Sequence, residues 1–442
     1  MKLKILSGFA ACVFTSISLQ AQTVSTFAGS GEAGFQNGNL STAQFSGLEQ
    51  MAYDKNGNLL VCDALNNRIR KIDPAGNVTT FAGSGTAGLV NGNKALAQFN
   101  NPLGIAIDDN NNVYIGDNMN FVIRKIDNSG NVTTYAGSGK QGYTDSGGTA
   151  AAFGYIDYMC FDNAMNLYLA DPDNSVIRKI DPQQQVSTFA GNGKPGMIDG
   201  IGQSAQLSFP IAITYDKIND VFFISDQGNS AVRKALPDGT ISTYAGMGRA
   251  GYWNGPAVAA RFDYPKGLTT DALGNVYVAG RFDYTIRKID TQGDVSTVAG
   301  VPFTPGNKDG IGGNAVFGKP IDVILSPDGN LMVSDWGNKV LRKVEITAPI
   351  AASIKNRNLN TNGIEISPNP FSTSTLIKVS ENKGTEPIIF SMFDISGKEV
   401  KAKNTVTGNQ ILVEKGNLSS GIYFYSLLQG FAVIGNGKLV IE

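Results

Sequence analysis

Residues 112–126 read NVYIGDNMNFVIRKI, and versions of this stretch recur through most of the chain. The segments 113–115 and 122–126 are rich in β-branched and apolar residues, which favours two short strands. The segment between them, from Asp117 to Asn120, contains the Asp and Asn residues that favour turns. The stretch therefore predicts an antiparallel hairpin that is repeated along the sequence.

The repeat has a period of 54 residues, with a single step of 55. Its first marker is a segment of the type STFAG, which begins at Ser25, Thr79, Thr133, Ser187, Ser242 and Ser296. A second marker, IRK or a close variant, keeps the same phase and begins at Ile69, Ile123, Ile177, Val232, Ile286 and Leu341. Four short strands repeated every 40–55 residues or so are typical of the blades of a β-propeller.

The two ends of the repeat region complement each other. The first STFAG-type strand precedes any complete unit, whereas the last unit ends near Val344 without such a strand. Pairing Val24–Ala28 with that unit would close the ring and leave no long exposed sheet edge. We therefore predict an all-β fold, a six-bladed propeller over residues 22–346 whose N-terminal strand completes the last blade.

The repeated sequence pattern resembles the consensus of NHL-repeat propellers, GNxYVxDxxNxxIRKI. The second unit matches it at Asn112–Asp117, at Asn120 and at Ile123–Ile126, and departs at Asn111, where the consensus has Gly. The resemblance covers residues 23 to about 346. It implies the propeller fold, but such propellers serve as binding platforms, sensors and occasionally enzymes, so it does not settle the function.

Composition excludes several chemistries. The chain has no histidine, so it cannot hold a Ser-His-Asp triad, a histidine-ligated zinc or an imidazole base. Its three cysteines cannot form a Cys₄ metal site, and Cys62 and Cys160 fall in non-adjacent repeats, where no disulfide is expected. The formal net charge of −1 gives no reason to expect a nucleic-acid partner.

Residues 1–21 have the layout of a secretory signal peptide. Lys2 and Lys4 precede an apolar run from Ile5 to Leu19, and a small residue, Ala21, is placed for cleavage. An alternative is a lipoprotein signal cleaved before Cys12. No other apolar stretch approaches the roughly 20 residues of a membrane-spanning helix.

The repeat stops after Val344, and a second domain follows. Residues 347–363 are largely polar and are predicted to be a linker, and residues 364–442 contain short alternating strands. The order of SPNPF from Ser367, FDISGK from Phe393, LSSGIY from Leu418 and KLVI from Lys438 resembles the type IX secretion sorting domain of Bacteroidetes. The resemblance implies a small β-sandwich, contact with the secretion machinery, a secreted or outer-surface location, and later removal of the domain. The alternative is a carbohydrate-binding sandwich.

Five junctions between repeats match GxGxxG, beginning at Gly29, Gly83, Gly137, Gly191 and Gly246. A dinucleotide site would need a helix to begin at the motif. The residues that follow, such as Phe35 to Asn39, are a poor opening for a helix. We therefore expect these glycines to form tight turns.

The loops that precede the inner strands and the turns between second and third strands should share one face. The Asp and Asn residues that recur in those turns are expected to fix the turns, and arginines such as Arg70 to make strand-face and inter-blade contacts. Blade five departs from the repeat, with Gly280-Arg281-Phe282-Asp283 in place of the Asp turn. An aromatic and cationic sector there suits a glycan, a peptide or an anionic molecule, unless these side chains merely pack loops onto blades. The candidate ligand-binding residues are Phe35, Tyr143, Arg249, Tyr252, Trp253, Arg281 and Asp283.

Two classes of function compete. The favoured one is a non-enzymatic binding platform for a glycan or protein partner, from which an adhesion role would differ only in ligand size. The alternative is a calcium-assisted hydrolase or lactonase that uses Glu49, Asp157 and Asp322, near the starts of the inner strands. No cofactor is predicted, and calcium is the one candidate metal. The missing histidine and the scattered carboxylates favour binding over catalysis.

Overall fold

The computed structural model describes residues 22–346, 364–379, 388–393, 399–400, 402–429 and 432–442. The chain divides into two units between Thr347 and Ala348. The predicted signal peptide, including Cys12, and the predicted linker lie outside the described residues.

The first unit contains six antiparallel sheets in its described part, one for each sequence repeat. Each sheet is a blade in which an inner, a second, a third and an outer strand are neighbours in that order. The inner strands are Leu48–Tyr53, Pro102–Ile107, Met159–Phe161, Pro210–Asp216, Pro265–Thr270 and Pro320–Leu325. The second strands are Leu59–Asp63, Val113–Asp117, Leu167–Asp171, Val221–Asp226, Val276–Gly280 and Leu331–Asp335.

The other two strands of each blade lie farther from the centre. The third strands are Arg68–Ile72, Val122–Ile126, Val176–Ile180, Ala231–Ala235, Thr285–Ile289 and Val340–Val344. The outer strands of blades one to five are Asn77–Ala82, Asn131–Ala136, Val186–Ala190, Thr240–Ala245 and Asp294–Ala299.

The N-terminal strand, Thr23–Ala28, supplies the outer strand of blade six. It pairs antiparallel with Val340–Val344, with Val24 opposite Val344. Each inner strand contacts the next around the centre, and the last contacts the first, so the sheets form a closed cycle. The predicted strand exchange is therefore present, and it ties the two ends of the repeat region together.

Two kinds of short element were not anticipated from the sequence. Five blades gain a two-residue rim strand from the long loop beside the outer strand, at Gly38–Asn39, Gly92–Asn93, Gly200–Ile201, Gly255–Pro256 and Gly310–Ile311. Single 3₁₀ turns lie at Ala64–Asn66, Asn118–Asn120, Gly148–Ala150, Gly202–Ser204, Gln227–Asn229 and Gly312–Asn314. Each is too short to leave a periodic pattern in the sequence.

The glycine that ends each outer strand is required by close packing. A Cβ atom on Gly83 would lie 2.6 Å from the carbonyl oxygen of Asn67, and one on Gly300 would lie 2.4 Å from that of Tyr284. Both glycines also have a positive φ, which other residues rarely adopt. The GxGxxG pattern therefore marks the point where the chain leaves the blade, and no helix follows it.

A buried arginine on each third strand braces its own blade. Arg124 is fully buried, and its Nη1 donates to Oδ2 of Asp117 at 2.8 Å, at the end of the second strand. Its Nη2 donates to Oδ1 of Asn91 in the long loop at 2.8 Å, and its guanidinium lies 5.1 Å from the Phe99 ring centroid. The expected inter-blade contact is therefore wrong for the arginine, which holds the loop to its own blade. The equivalent arginines are Arg70, Arg178, Arg233, Arg287 and Arg342.

The second unit contains two four-stranded antiparallel sheets in its described part. The first holds Ile364–Ser367, Ser374–Val379, Lys403–Thr407 and Gln410–Glu414, and the second holds Ile388–Phe393, Glu399–Val400, Gly421–Gln429 and Ala432–Ile441. One apolar core, which includes Phe371, Ile377 and Tyr425, draws residues from both sheets. The predicted β-sandwich is therefore correct, and its last strand runs through Gly435-Asn436-Gly437.

Replacing the arginine of one brace should destabilise the propeller. Arg124→Met leaves Asp117 as an uncompensated buried charge, and we expect a loss of about 3–5 kcal/mol in the free energy of unfolding. Urea unfolding followed by tryptophan fluorescence measures this loss selectively, because Trp253 and Trp336 are the two tryptophans of the chain. Lys140→Met, at an exposed loop lysine, is the matched control. An equal midpoint for both variants would contradict the brace.

Candidate ligand-binding site at the channel mouth

One face of the propeller carries the starts of the inner strands, the turns between second and third strands, and the long loops. The register shows this, because Leu48 at the start of an inner strand lies opposite Asp63 at the end of the second strand. The backbone N–H of Ser46, in the loop, donates to Oδ1 of Asp63 at 2.7 Å. We call this side the long-loop face, and the starts of the inner strands surround the mouth of the central channel.

The repeated Asp and Asn residues of this face hold the turns, as the sequence suggested. Asp117 is fully buried and accepts hydrogen bonds from the backbone of Asn100 at 2.7 Å, the side chain of Asn120 at 2.8 Å and Arg124. Burial raises the pKa of Asp117, against the effect of these donors. Its oxygens are occupied, so this residue type is not free to bind a ligand.

Charged side chains stand at the channel mouth in alternate blades. Glu49, Asp157 and Lys266 occupy the second position of the inner strand segment in blades one, three and five, and each is less than one-tenth exposed. The same position in blades two, four and six holds Leu103, Ile211 and Ile321. The Lys266 ammonium donates to Oε2 of Glu49 at 2.6 Å. Lys266 was missed in the sequence, and aligning the inner strands blade by blade would have revealed it.

Side chains that cross between blades close the channel beneath this mouth. The amide of Gln50 spans three blades, because it donates to the carbonyl of Met159 at 2.9 Å and accepts from the N–H of Ile105 at 2.8 Å. Asp322 accepts from the N–H of Met51 at 2.8 Å, and the Tyr158 hydroxyl donates to the carbonyl of Ile321 at 3.3 Å. These hydrogen-bonded side chains therefore form a floor below the mouth, and we call the group of side chains above this floor the recess.

Burial controls the protonation of two acids in this recess. It raises the pKa of Asp157 to about 7, an effect that Lys266 and Arg281 oppose and Glu49 reinforces. It raises the pKa of Asp322 to about 8, although the bonded N–H of Met51 and the charge of Lys266 favour ionisation. Burial alone would lower the pKa of Lys266, but Glu49 and Asp157 raise it above its usual value.

An aromatic and cationic strip borders the recess on blades five and six. The rings of Tyr264 and Phe282 meet edge to face with centroids 4.8 Å apart. Arg281 and the ammonium of Lys319 each lie 5.2 Å from the Phe282 centroid, and Lys319 lies 5.1 Å from the Trp336 ring. We call these five residues the aromatic strip. Of the five, the sequence singled out only Arg281.

Three of the predicted aromatic residues pack long loops onto separate blades. Phe35 lies under the guanidinium of Arg68 at 4.2 Å in blade one. In blade three, the Tyr143 hydroxyl is 2.8 Å from Oγ1 of Thr188. In blade five, the Tyr252 ring lies 4.5 Å from the guanidinium of Arg287. The structure therefore does not bring Phe35, Tyr143 and Tyr252 together into one site.

The other candidate ligand-binding residues of blade five lie in different environments. Arg249 is exposed, and Trp253 is 62% exposed in the outer part of the long loop. Asp283 is fully buried, lies 3.7 Å from Nη1 of Arg287 and accepts from Oγ1 of Thr285 at 2.7 Å. Burial raises the pKa of Asp283 to about 6. It replaces the brace carboxylate missing at Gly280, so its assignment as a ligand-binding residue is corrected.

The carboxylates of the alternative hydrolase, Glu49, Asp157 and Asp322, do lie at the channel. Among the residues that the structure describes, no three His, Cys, Asp or Glu side chains are grouped to hold a metal ion. Asp108, which begins an acidic and amide-rich run, lies in a hairpin turn in which its carboxylate accepts from the backbone of Asn110 and Asn112. Calcium binding stays a prediction.

Comparison with known families identifies the C-terminal unit. Residues 365–442 match the family model described as the secretion system C-terminal sorting domain. In the described part of the chain, no helix has the length and apolar character to cross a membrane.

Curated relatives match the propeller. Protein SUPPRESSOR OF QUENCHING 1 of Arabidopsis thaliana is 29% identical over 59% of this chain and 26% of that protein. NHL repeat-containing protein 2 of Gallus gallus is 25% identical over 69% of this chain and 47% of that protein. The chain thus spans less than half the length of either relative.

Solved structures show the same fold. A protein of unknown function from Bacteroides thetaiotaomicron is 26% identical with a TM-score of 0.58, over 73% of this chain and 76% of that one. An auxiliary nutrient binding protein from the same organism is 15% identical with a TM-score of 0.59, over 74% of this chain and 77% of that one. The chain is an NHL-repeat β-propeller with a type IX sorting domain, which directs it to the cell surface or the exterior.

Replacing Asp157 by Asn should change how the free energy of unfolding depends on pH. An unfolded aspartate ionises near pH ~3.9, whereas Asp157 ionises near pH 7. Between these two pH values Asp157 takes up a proton when the protein folds. The free energy of unfolding therefore falls by up to about 1.4 kcal/mol per pH unit as the pH rises. Asp157→Asn cannot take up this proton, so its stability should fall less between those pH values than that of the wild type.

Urea unfolding across this pH range measures the difference. Asp294→Asn, at an exposed outer-strand aspartate, is the control and should follow the wild type. Parallel pH profiles for Asp157→Asn and the wild type would show that Asp157 is ionised in the folded protein.

Proposed function

We propose that this exported propeller is a non-enzymatic binding protein that holds a glycan on its long-loop face. The observation that carries the proposal is the aromatic strip beside the recess. Tyr264 is 43% exposed, and Phe282 and Trp336 are half-buried, so aromatic surface reaches solvent next to two cationic groups. Aromatic faces stack against the apolar faces of sugar rings, and the neighbouring Arg281 and Lys319 can donate to sugar oxygens.

The recess itself supports binding better than catalysis. The Glu49 carboxylate is already engaged by Lys266, and one oxygen of Asp322 is occupied by the backbone of Met51. A calcium-assisted hydrolase or lactonase would need these carboxylates open and grouped around one ion. The sorting domain directs the propeller out of the cell, where glycans are available at surfaces, and this supports the proposal.

A glycan array probed with the full chain tests the proposal. We expect capture of a restricted set of glycans, and binding up to about tenfold weaker after Phe282→Ala, because stacking contacts contribute about 0.5–1.5 kcal/mol. Leu96→Ala, at a rim leucine that is 73% exposed, is the control and should bind like the wild type.

The same assay separates the competing functions. Binding that disappears with EDTA would establish calcium as part of the site. Capture of a surface protein without any glycan would replace the glycan by a protein partner. Calcium-dependent lactone hydrolysis that is lost in Glu49→Gln would overturn the binding proposal in favour of the hydrolase.

A further inference from the structure

The recess at the channel mouth contains polar atoms that the protein leaves without partners. Within residues 22–346 these include Oδ1 of Asp157, Nε2 of Gln227 and Nε of Arg281. Asp157 and Gln227 are each only 4% exposed. A buried polar atom without a hydrogen bond costs about 1–3 kcal/mol, so a ligand group that supplied partners to these three atoms would recover part of that cost.

The register places Gln227 beside the recess. Gln227, Arg281 and Asn118 occupy the same position, directly after the second strand, in blades four, five and two. From this position the Asn118 side chain accepts from the N–H of Ile156, at the start of the next inner strand. Gln227 therefore faces the start of the blade-five inner strand, where Pro265 offers no N–H and Lys266 follows.

The charges around the recess favour an anion. Lys266 is matched by Glu49, whereas Arg281 and Lys319 have no ion-pair partner among the described residues. The raised pKa values keep Asp322 largely protonated at neutral pH and Asp157 largely protonated below it. Donors therefore exceed acceptors, because the amide of Gln227, the guanidinium of Arg281 and a protonated Asp157 can each donate.

We propose that the recess between Asp157, Gln227, Lys266 and Arg281 binds the carboxylate of an acidic sugar residue. This inference rests on the proposed glycan binding and names the sugar class. A carboxylate accepts the donors that are now unpartnered, and Arg281 can engage it through a charge-assisted hydrogen bond. Tyr264 and Phe282 lie on the rim beside Arg281, where they flank the ring that carries the carboxylate.

Protonation of Asp157 should couple to binding. The groups that act on Asp157 or share its recess are Glu49, Cys62, Tyr158, Lys266, Arg281 and Asp322. An added carboxylate favours the protonated form of Asp157, so binding takes up a proton. Affinity for the acidic sugar should therefore decrease as the pH rises through about 7, while affinity for a neutral sugar should not.

Calorimetric titration of the full chain tests this inference. The probes are oligosaccharides ending in glucuronate, galacturonate or N-acetylneuraminate, their neutral glucose- or galactose-ended counterparts, and acetate. We expect the wild type to prefer an acidic over the neutral counterpart by at least about tenfold. Arg281→Gln should abolish this preference, whereas Arg261→Gln, at an exposed arginine of the blade-five loop, should leave it unchanged.

Further variants separate a direct role from a folding defect. Asp157→Asn should keep the acidic preference but lose its pH dependence, and Phe282→Ala should weaken acidic and neutral probes alike. Circular dichroism at the titration temperature checks that each variant is folded under the conditions of the binding measurement. Acetate binding as tightly as the sugars would overturn the sugar assignment in favour of a simple anion site.

The failure of this inference is distinguishable from failure of the proposed function. Equal or tighter binding of neutral probes, unaffected by Arg281→Gln, would overturn the carboxylate recess but leave glycan binding intact. Binding of no probe and no array glycan would overturn both.

Discussion

A buried arginine in every blade is the interaction on which the binding face depends. In blade two, Arg124 donates both to Asp117, at the end of the second strand, and to Asn91 in the long loop. Asn91 lies 33 residues before Arg124 in the sequence. A guanidinium at this depth is strongly destabilising unless its partners are all in place. This constraint explains why the arginine, the turn aspartate and the loop Asn or Asp keep the same phase through the repeats. It also makes the long loops rigid supports for whatever they present.

Blade five shows how the face changes while the buried arginine keeps an ion-pair partner, although without a hydrogen bond to it. Gly280 removes the usual carboxylate, but Asp283 lies three residues later and faces Arg287 at 3.7 Å from within the core. The turn after the second strand therefore does not supply the carboxylate that pairs with the arginine. It carries Arg281 and Phe282 instead, at the channel mouth. The departure from the repeat thus has two effects. The carboxylate that pairs with the arginine comes from position 283 and not 280, and the turn gains a cationic and aromatic surface.

The sequence was sufficient for the strands and the ring closure, because alternation and turn residues act locally and repeat many times. The sandwich followed from the resemblance of the C-terminal domain to a known family. It was less informative about the site. Phe35 and Tyr252 looked like ligand contacts, and only the structure shows cationic side chains stacked against both. Asp283 looked free because its role depends on an arginine whose complete burial is a property of the folded blade. Lys266 escaped notice because a single lysine carries no pattern until the inner strands are superposed.

The charged residues in alternate blades indicate that ligand binding, and not stability alone, determines which side chains stand at the channel mouth. Leu103, Ile211 and Ile321 show that an apolar side chain fits this position in three of the blades. A buried ion pair such as Glu49–Lys266 gains little over apolar packing, since desolvation offsets most of the attraction. Stability alone therefore does not account for the pair or for Asp157, whose Oδ1 has no partner. The floor formed by Gln50, Tyr158 and Asp322 lies below these groups and keeps them on the side of the propeller that carries the long loops and the aromatic strip.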